Sequence, residues 1–301
     1  MPKVLVFGAT GRQGGATVDA LLAKGGTFEV SAIVRNPDSA AAKSLAGRGV
    51  KLHKGDFKSR PSMEAAMRDS GASMVFLFTQ YHPFKNSAKA EEKQGISALD
   101  AIAAVNPDAY LVFASVAAAE KAPAAVKHFW SKVAIEKHLK ESSGIKRWFI
   151  LRPAAFFENC DDPANGNPLK KGKIKMLGPA TTVVPWIATA DIGKAAVTAF
   201  NDPDKWQGKT VTLCVARYTG SELAEVLTEV SGTKARYAKV MPSCLLRMIM
   251  PDMHAMMAFM ADGGDYADYE LTKELVGPEL MDFKAWLTAK GAFRNGEKFK
   301  A

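Results

Sequence analysis

The chain has 301 residues, 48% of them hydrophobic and 24% charged, and its 40 Lys and Arg against 31 Asp and Glu give a formal charge of +9. This length and apolar content supply a sizeable core, exclude disorder over long stretches, and suit one large α/β domain or two smaller ones. The positive balance favours anionic small molecules or acidic partners, yet no block of five like charges appears, and the nearest, KKGKIK at 170–175, reads as a surface turn.

Strand-like and helix-like patterns alternate through the first half. Short apolar runs predict strands at 4–7, 29–34, 50–53, 74–78, 110–114 and 147–151. Between them, apolar residues at three- and four-residue spacing predict helices at 15–22, 40–46, 61–67, 88–105 and 124–140. After Pro153 the alternation loosens, and DDPANGNPLKKGK (161–173) is a loop by composition. ATADIGKAAVTAF (188–200) predicts a helix capped by Asp191 or Thr189, followed by a strand at 210–215 and a helix at 220–230. The Met-rich run 241–260 predicts another helix, read as core by base rate, with a substrate pocket or a partner groove as alternatives. YADYELTKEL (266–275), Phe283 and Trp286 read as the packing of the last two helices.

The pattern specifies the α/β class: a doubly wound, mostly parallel sheet with its first strand central, and a smaller, mainly helical C-terminal lobe. The expected division places 1–155 in a nucleotide-binding domain to which 181–216 returns, and 156–180 with 217–301 in the lobe.

Cys160, Cys214 and Cys244 are odd in number and widely spaced, with neither CxxC nor a Cys/His zinc pattern. This points away from disulfides and metal and toward a reducing compartment. The first strand begins near residue 3, leaving no room for a leader, and no run of 18 apolar residues exists. The expectation is a cytoplasmic protein with no membrane contact. Nucleic acid is not expected as a partner, because no basic helix carries interleaved aromatics. A homodimer stays open.

VLVFGATGRQGG (4–15) carries the sharpest signal. Gly8, Gly11 and Gly14 form GxxGxxG behind a strand and at the start of a helix. The first glycine permits a tight turn, the second lets the backbone approach a pyrophosphate, and the third allows close packing, while the helix N-terminus offers N–H groups and a positive dipole end. With Thr10, Arg12 and Gln13 in the same loop, this reads as a dinucleotide cradle rather than a bare turn. At the end of the second strand, where a carboxylate would bond the ribose 2′-OH of NAD, the chain has Arg35. A guanidinium takes a 2′-phosphate by charge-assisted bonds of about 1.5 to 3 kcal/mol, so NADP(H) is expected over NAD(H), with Arg12 assisting. Asp56 and Phe57 end the third strand and are placed along the adenine; Thr79 and Gln80 end the fourth, beside the second ribose. Each alone reads equally as a turn residue.

The combination VLVFGATGRQGG, VRNP, GDF, FLFTQYH, KHFWSK, LRPAAFFEN and DIGKAA resembles the NmrA-like proteins, from Lys3 to about Leu287. This atypical branch of the short-chain dehydrogenase/reductases includes the HSCARG-like NADPH sensors. The resemblance implies a Rossmann domain with a small C-terminal lobe, NADP(H) as cofactor, and the loop 151–159, with Pro153 and Phe156, near the nicotinamide. It implies less about activity, since the branch holds reductases of plant phenolics and quinones beside cofactor-binding regulators.

Active short-chain reductases use a Ser followed by Tyr-x-x-x-Lys. Ser115 closes the fifth strand, His128 follows 13 positions later, and Lys132 lies one turn beyond on the same helix face. His128 at the Tyr position is typical of HSCARG-like members. A Lys⁺ helps a tyrosine donate its proton but opposes an imidazolium, so His128 is expected neutral at pH 7 and a poor acid. Carbonyl reduction should then favour easily reduced substrates such as quinones and enones. Lys132 reads chiefly as a bond to the nicotinamide ribose, His128 equally as an orienting group or a plain helix residue, and Ser115 equally as a strand-end cap. His82 reads as a cleft residue or, more plainly, a surface loop. Two functions follow as expectations: an NADPH-dependent reductase of a small conjugated substrate, or a redox sensor whose NADPH occupancy alters affinity for a regulatory protein.

Overall fold

The structure, a computed structural model, describes residues 1–82, 84–85, 87–161, 168–261, 266–289 and 293. Two compact units emerge: the first holds 1–120, 128–152 and 190–211, the second 121–127, 153–189 and 212–301.

Eleven elements alternate from the N-terminus: β1 (Lys3–Phe7), α1 (Arg12–Leu22), β2 (Glu29–Val34), α2 (Ala40–Gly47), β3 (Lys51–Lys54), α3 (Arg60–Ser70), β4 (Met74–Phe78), α4 (Ala88–Val105), β5 (Tyr110–Ala114), α5 (Lys127–Glu141) and β6 (Arg147–Pro153). Further on come β7 (Ala155–Phe156), β8 (Lys173–Met176), β9 (Val184–Ile187), α6 (Thr189–Asn201), α7 (Pro203–Trp206), β10 (Thr210–Leu213), β11 (Ala216–Tyr218), α8 (Gly220–Ser231), β12 (Arg236–Lys239), α9 (Ser243–Ile249), α10 (Pro251–Ala261), α11 (Tyr269–Val276) and α12 (Phe283–Ala289).

The main sheet has seven strands in the order β10-β6-β5-β4-β1-β2-β3. Pairing is parallel from β3 to β6. The carbonyls of Lys209 and Leu213 accept from the amides of Ile150 and Ala154, the same step in the same direction, so β10 is parallel as well. Val4 to Phe7 are buried, as a strand covered on both faces requires. β1 lies between β4 and β2, which is where the strand order reverses and where open parallel sheets bind ligands. The edge strand β3 ends on exposed Lys51 and Lys54, charges that disfavour further strand pairing.

In the second unit, β11-β9-β7 form a three-stranded sheet and β12-β8 a parallel pair, alongside α8 to α12. Among the described residues the lobe therefore carries five strands that the helical reading did not contain; each is two to four residues long, too short to show a period. Residues 181–189 and 212–216 belong to this unit, where β9 pairs with β7 and β11. Of the loop expected at 161–173, positions 162–167 lie outside the described residues. KKGKIK is not simply a turn: Pro168–Lys171 is one 3-10 turn and Lys173 opens β8. The phenyl ring of Phe157 anchors an aromatic core, stacked 5.9 Å from Trp186 and tilted against Phe283 at 5.2 Å.

The Met-rich run is two helices rather than one. Pro251 has no N–H and forces Met250 out of the helical region (φ −135°, ψ 64°), so α9 stops and α10 starts on the proline. The core reading fails for most of it: Leu246 and Met257 are buried, whereas Met248 is 74% exposed and Ile249 44%. α10 is apolar nearly all round and short, with no distinct face to turn inward.

Candidate functional site: a nucleotide cradle and a buried polar cluster

The glycine loop is built by close approach. Gly8 has φ +65°, a left-handed conformation costly for any residue with a Cβ, and a Cβ there would lie 2.2 Å from the Phe78 ring. At Gly14 a Cβ would meet the Gly8 carbonyl oxygen at 2.4 Å, so α1 rests directly on the loop. The Gly11 amide donates to Gly8 O at 2.9 Å and closes the turn. Gly11 is the N-cap of α1, with no side-chain cap and no acidic residue in the first turn, which leaves the positive helix end to a ligand. Gln13 Oε1, an acceptor, is buried without a hydrogen-bond partner among the described residues. Thr10 on the loop and Arg12 at the start of α1 are exposed. The residues fit a dinucleotide pyrophosphate.

Arg35 lies just beyond β2, exposed, with no ion pair among the described residues. Asp56 is committed locally: its Oδ1 accepts from the Lys58 amide at 2.9 Å, and its own amide donates to Ser62 Oγ at 3.0 Å. The Phe57 ring packs 5.6 Å from Phe7, half-buried. Gln80 is exposed. His82 caps a turn, with its Nδ1 accepting from the Phe84 amide at 3.2 Å, as the loop reading has it.

Thr79 and Lys132 do come together, through a partner the sequence reading missed. The Lys132 ammonium donates to Thr79 O at 2.6 Å and Thr79 Oγ1 at 2.7 Å, and pairs with Glu91 Oε1 at 2.9 Å. Thr79 Oγ1 donates to Glu91 Oε1 at 3.0 Å, and Ser131 Oγ to Glu91 Oε2 at 2.6 Å. Glu91 is completely buried and Lys132 nearly so. α4 approaches because Gly95 leaves room: a Cβ there would lie 2.4 Å from Ile135. The expected unbalanced Lys132 cation beside His128 is therefore absent, because its charge is matched at contact distance. An ammonium has three donors and all three are in use, so a ribose hydroxyl reaches Lys132 only by displacing Thr79 or Glu91.

Ser115 follows β5, its amide held by Leu151 O at 2.7 Å and its Oγ buried with no hydrogen-bond partner among the described residues. His128 is half-buried on α5, and its ring lies flat on Tyr81, centroids 4.8 Å apart and planes 16° apart. Tyr81, three residues beyond β4, was quoted in the sequence motif without a role. At the end of β6, Arg152 forks Glu136 (2.7 Å) and Glu120 (2.8 Å), tying the short helix Ala119–Lys121 to α5.

In the second unit, Pro153 is buried and Phe156 half-buried on β7, paired with Ile187. The carboxylate of Glu158 accepts from the Thr189 amide and hydroxyl, at 3.1 and 2.8 Å, and from Trp286 Nε1 at 3.0 Å. It thus serves the first amide of α6, the role expected of Asp191 or Thr189; Asp191 instead pairs with Lys194 at 3.1 Å. Burial pushes the Cys160 thiol up, away from reactivity. Among the described residues no cluster of His, Cys, Asp and Glu is arranged to hold a metal, and no helix is long and apolar enough to cross a membrane.

Comparison with known proteins follows the same outline. An NmrA-like family oxidoreductase of Aspergillus flavus is 29% identical over 260 residues, spanning 78% of this chain and 75% of its own. The Escherichia coli NADPH-dependent quinone oxidoreductase QOR2, solved with NADPH, superposes with a TM-score of 0.74 at 22% identity, over 93% of this chain and 97% of that one. Triphenylmethane reductase of Citrobacter sp., solved with NADP(H), gives 0.76 at 22% identity over 94% and 98%. NmrA, a negative transcriptional regulator solved with NAD, gives 0.73 at 16% over 96% and 95%. The family model of the NmrA-like family matches residues 2–287, and the chain belongs to that family.

Proposed function

We propose that the protein is an NADPH-dependent reductase of a small conjugated carbonyl or quinone-like substrate. The observation that carries the cofactor half is the glycine cradle at the point where the strand order reverses, with α1 uncapped above it. Gly8, Gly11 and Gly14 hold the pyrophosphate, and the orphaned acceptor Gln13 Oε1 suits a hydroxyl or amide donor of the nucleotide rather than its phosphates. Arg35 takes the 2′-phosphate, supported by its lack of any acidic partner among the described residues. Two of the structural neighbours were solved with NADPH or NADP(H). When bound, the reduced nicotinamide supplies a hydride.

For the substrate half, the buried hydroxyl of Ser115 and the half-buried His128 stand at or beside the ends of adjacent strands β4 and β5, where an oxygen that gains charge during reduction needs donors. Lys132 positions the end of β4 through Thr79. With its charge balanced by Glu91 and its three donors in use, Lys132 has no donor left to help a substrate oxygen, which suits substrates that accept hydride readily. The test is loss of NADPH absorbance across quinones, enones and aldehydes. Turnover of quinones and enones, with aldehydes slower, is expected; micromolar NADPH binding with no turnover above background overturns the reading.

That same engagement of Lys132 favours a second reading, a sensor in which NADPH occupancy changes affinity for a regulatory protein. A lysine held by Glu91 and Thr79 is what a binding protein without chemistry would retain. The same assay separates the two.

A further inference from the structure

We infer that Tyr81 is the proton donor of this site, in place of the tyrosine that α5 lacks. The inference rests on the reductase reading and extends it to one atom, the Tyr81 phenol oxygen.

The helix position where reductases of this type carry their tyrosine holds His128, whose ring face is covered by a phenol. That ring comes from three residues beyond β4, so an aromatic ring reaches the His128 position from a strand end instead of from the helix. Its placement is determined on two sides. The ring is stacked on His128 at 4.8 Å with planes 16° apart, and His128 is itself fixed edge-on against Phe129 at 4.8 Å. Two residues earlier in the chain, both oxygens of Thr79 are held by Lys132 at 2.6 and 2.7 Å. The Lys132–Glu91 pair thereby acquires a purpose: it anchors the segment that delivers Tyr81 and acts as a positioning element. Tyr81 is half-buried.

The step balances. Hydride from reduced nicotinamide adds its two electrons to the carbonyl or conjugate carbon. The π bond opens toward oxygen, and the resulting oxyanion takes the Tyr81 proton. The phenolate is reprotonated by solvent, leaving alcohol or enol and oxidised nicotinamide. A triarylmethyl cation needs no such proton, because hydride addition alone completes its reduction.

This difference supplies the test. In Tyr81→Phe, which keeps the ring stack and removes only the hydroxyl, kcat for an enone relative to that for a triphenylmethane dye should fall about 10²-fold, the lower end of a general acid's usual contribution, with KM little changed. Equilibrium binding of 4-nitrophenolate in the presence of NADP⁺, a readout without turnover, should weaken about tenfold in the same variant, since one donor to the oxyanion is lost. Loss of both reductions in parallel would assign Tyr81 to packing alone, and unchanged enone turnover with unchanged nitrophenolate binding would remove it from the site; either overturns the inference. If the wild-type protein binds NADPH and reduces neither substrate, the reductase reading itself fails and takes this step with it. That outcome is distinct because it appears before any substitution is made.

Discussion

The glycine cradle and the Lys132 cluster lie in one structural unit and are assembled by opposite means. The cradle is backbone: twelve consecutive residues (4–15) make a strand, a turn with Gly8 at φ +65° and an uncapped helix start, all within a single local motif. The cluster is side chains from three separate places, Thr79 after β4, Glu91 on α4, and Ser131 and Lys132 on α5, which meet only once the sheet and helices have packed. The cradle keeps its positive end open to a ligand, whereas the cluster consumes its own charge internally. A spacing motif can therefore announce where a nucleotide binds and still mislead about which lysine is free to touch it.

The largest expected effect tests whether the cluster is a closed unit. Glu91→Ala leaves a buried ammonium unpaired and should cost about 3–5 kcal/mol in denaturant unfolding, while adding Lys132→Met to it should restore most of that loss. A loss below about 1 kcal/mol would mean the pair is solvated rather than buried. Next, Gly14→Ala pushes a methyl into the Gly8 carbonyl at 2.4 Å and should cost about 1–3 kcal/mol, with NADPH affinity falling at least about tenfold. Gly15→Ala is the control. Its Cβ would meet Ala9 O at 3.4 Å, ordinary contact, and a helical glycine replaced by alanine should gain about 0.5–1 kcal/mol. Arg35→Ala should weaken NADPH by about one to two decades, the worth of charge-assisted bonds of about 1.5–3 kcal/mol, and leave NADH unchanged in calorimetric titration.

The smallest effect concerns β3. Burial lowers the pKa of His53 below its usual value, and its Nε2 is buried without a hydrogen-bond partner among the described residues. The unfolded chain then binds a proton more readily than the folded one, so the contribution of His53 is complete above about pH 6.5 and is lost as pH falls below it. Replacing His53 with Gln should flatten that part of the stability profile; an unchanged slope between pH 7 and 5 would contradict the assignment.

Much of the first unit was legible. The strands at 29–34, 74–78 and 110–114 and the helix at 88–105 have the bounds the apolar pattern predicts, because buried parallel strands and amphipathic helices write their periods into sequence. α1 starts at Arg12 rather than residue 15: Gly11 is its N-cap, and Gly14 and Gly15, weak helix formers by propensity, lie inside its first turns. The lobe was less legible: its strands depend on pairing across long separations, and an apolar composition at 241–260 says nothing about the break that Pro251 imposes. Glu91 gave no signal at all. A carboxylate in AKAEEKQG reads as a solvated helix face until α4 is pressed against α5 at Gly95. Tyr81 was visible as a residue in FLFTQYH, but its stack on His128 is a contact across the fold.

The most direct measurement is calorimetric titration of the purified protein with NADPH and NADH side by side. The cradle and Arg35 require NADPH to bind tighter by about one to two decades. Equal affinities, or no binding of either, would contradict the assignment of an anion-selecting nucleotide site at the first crossover.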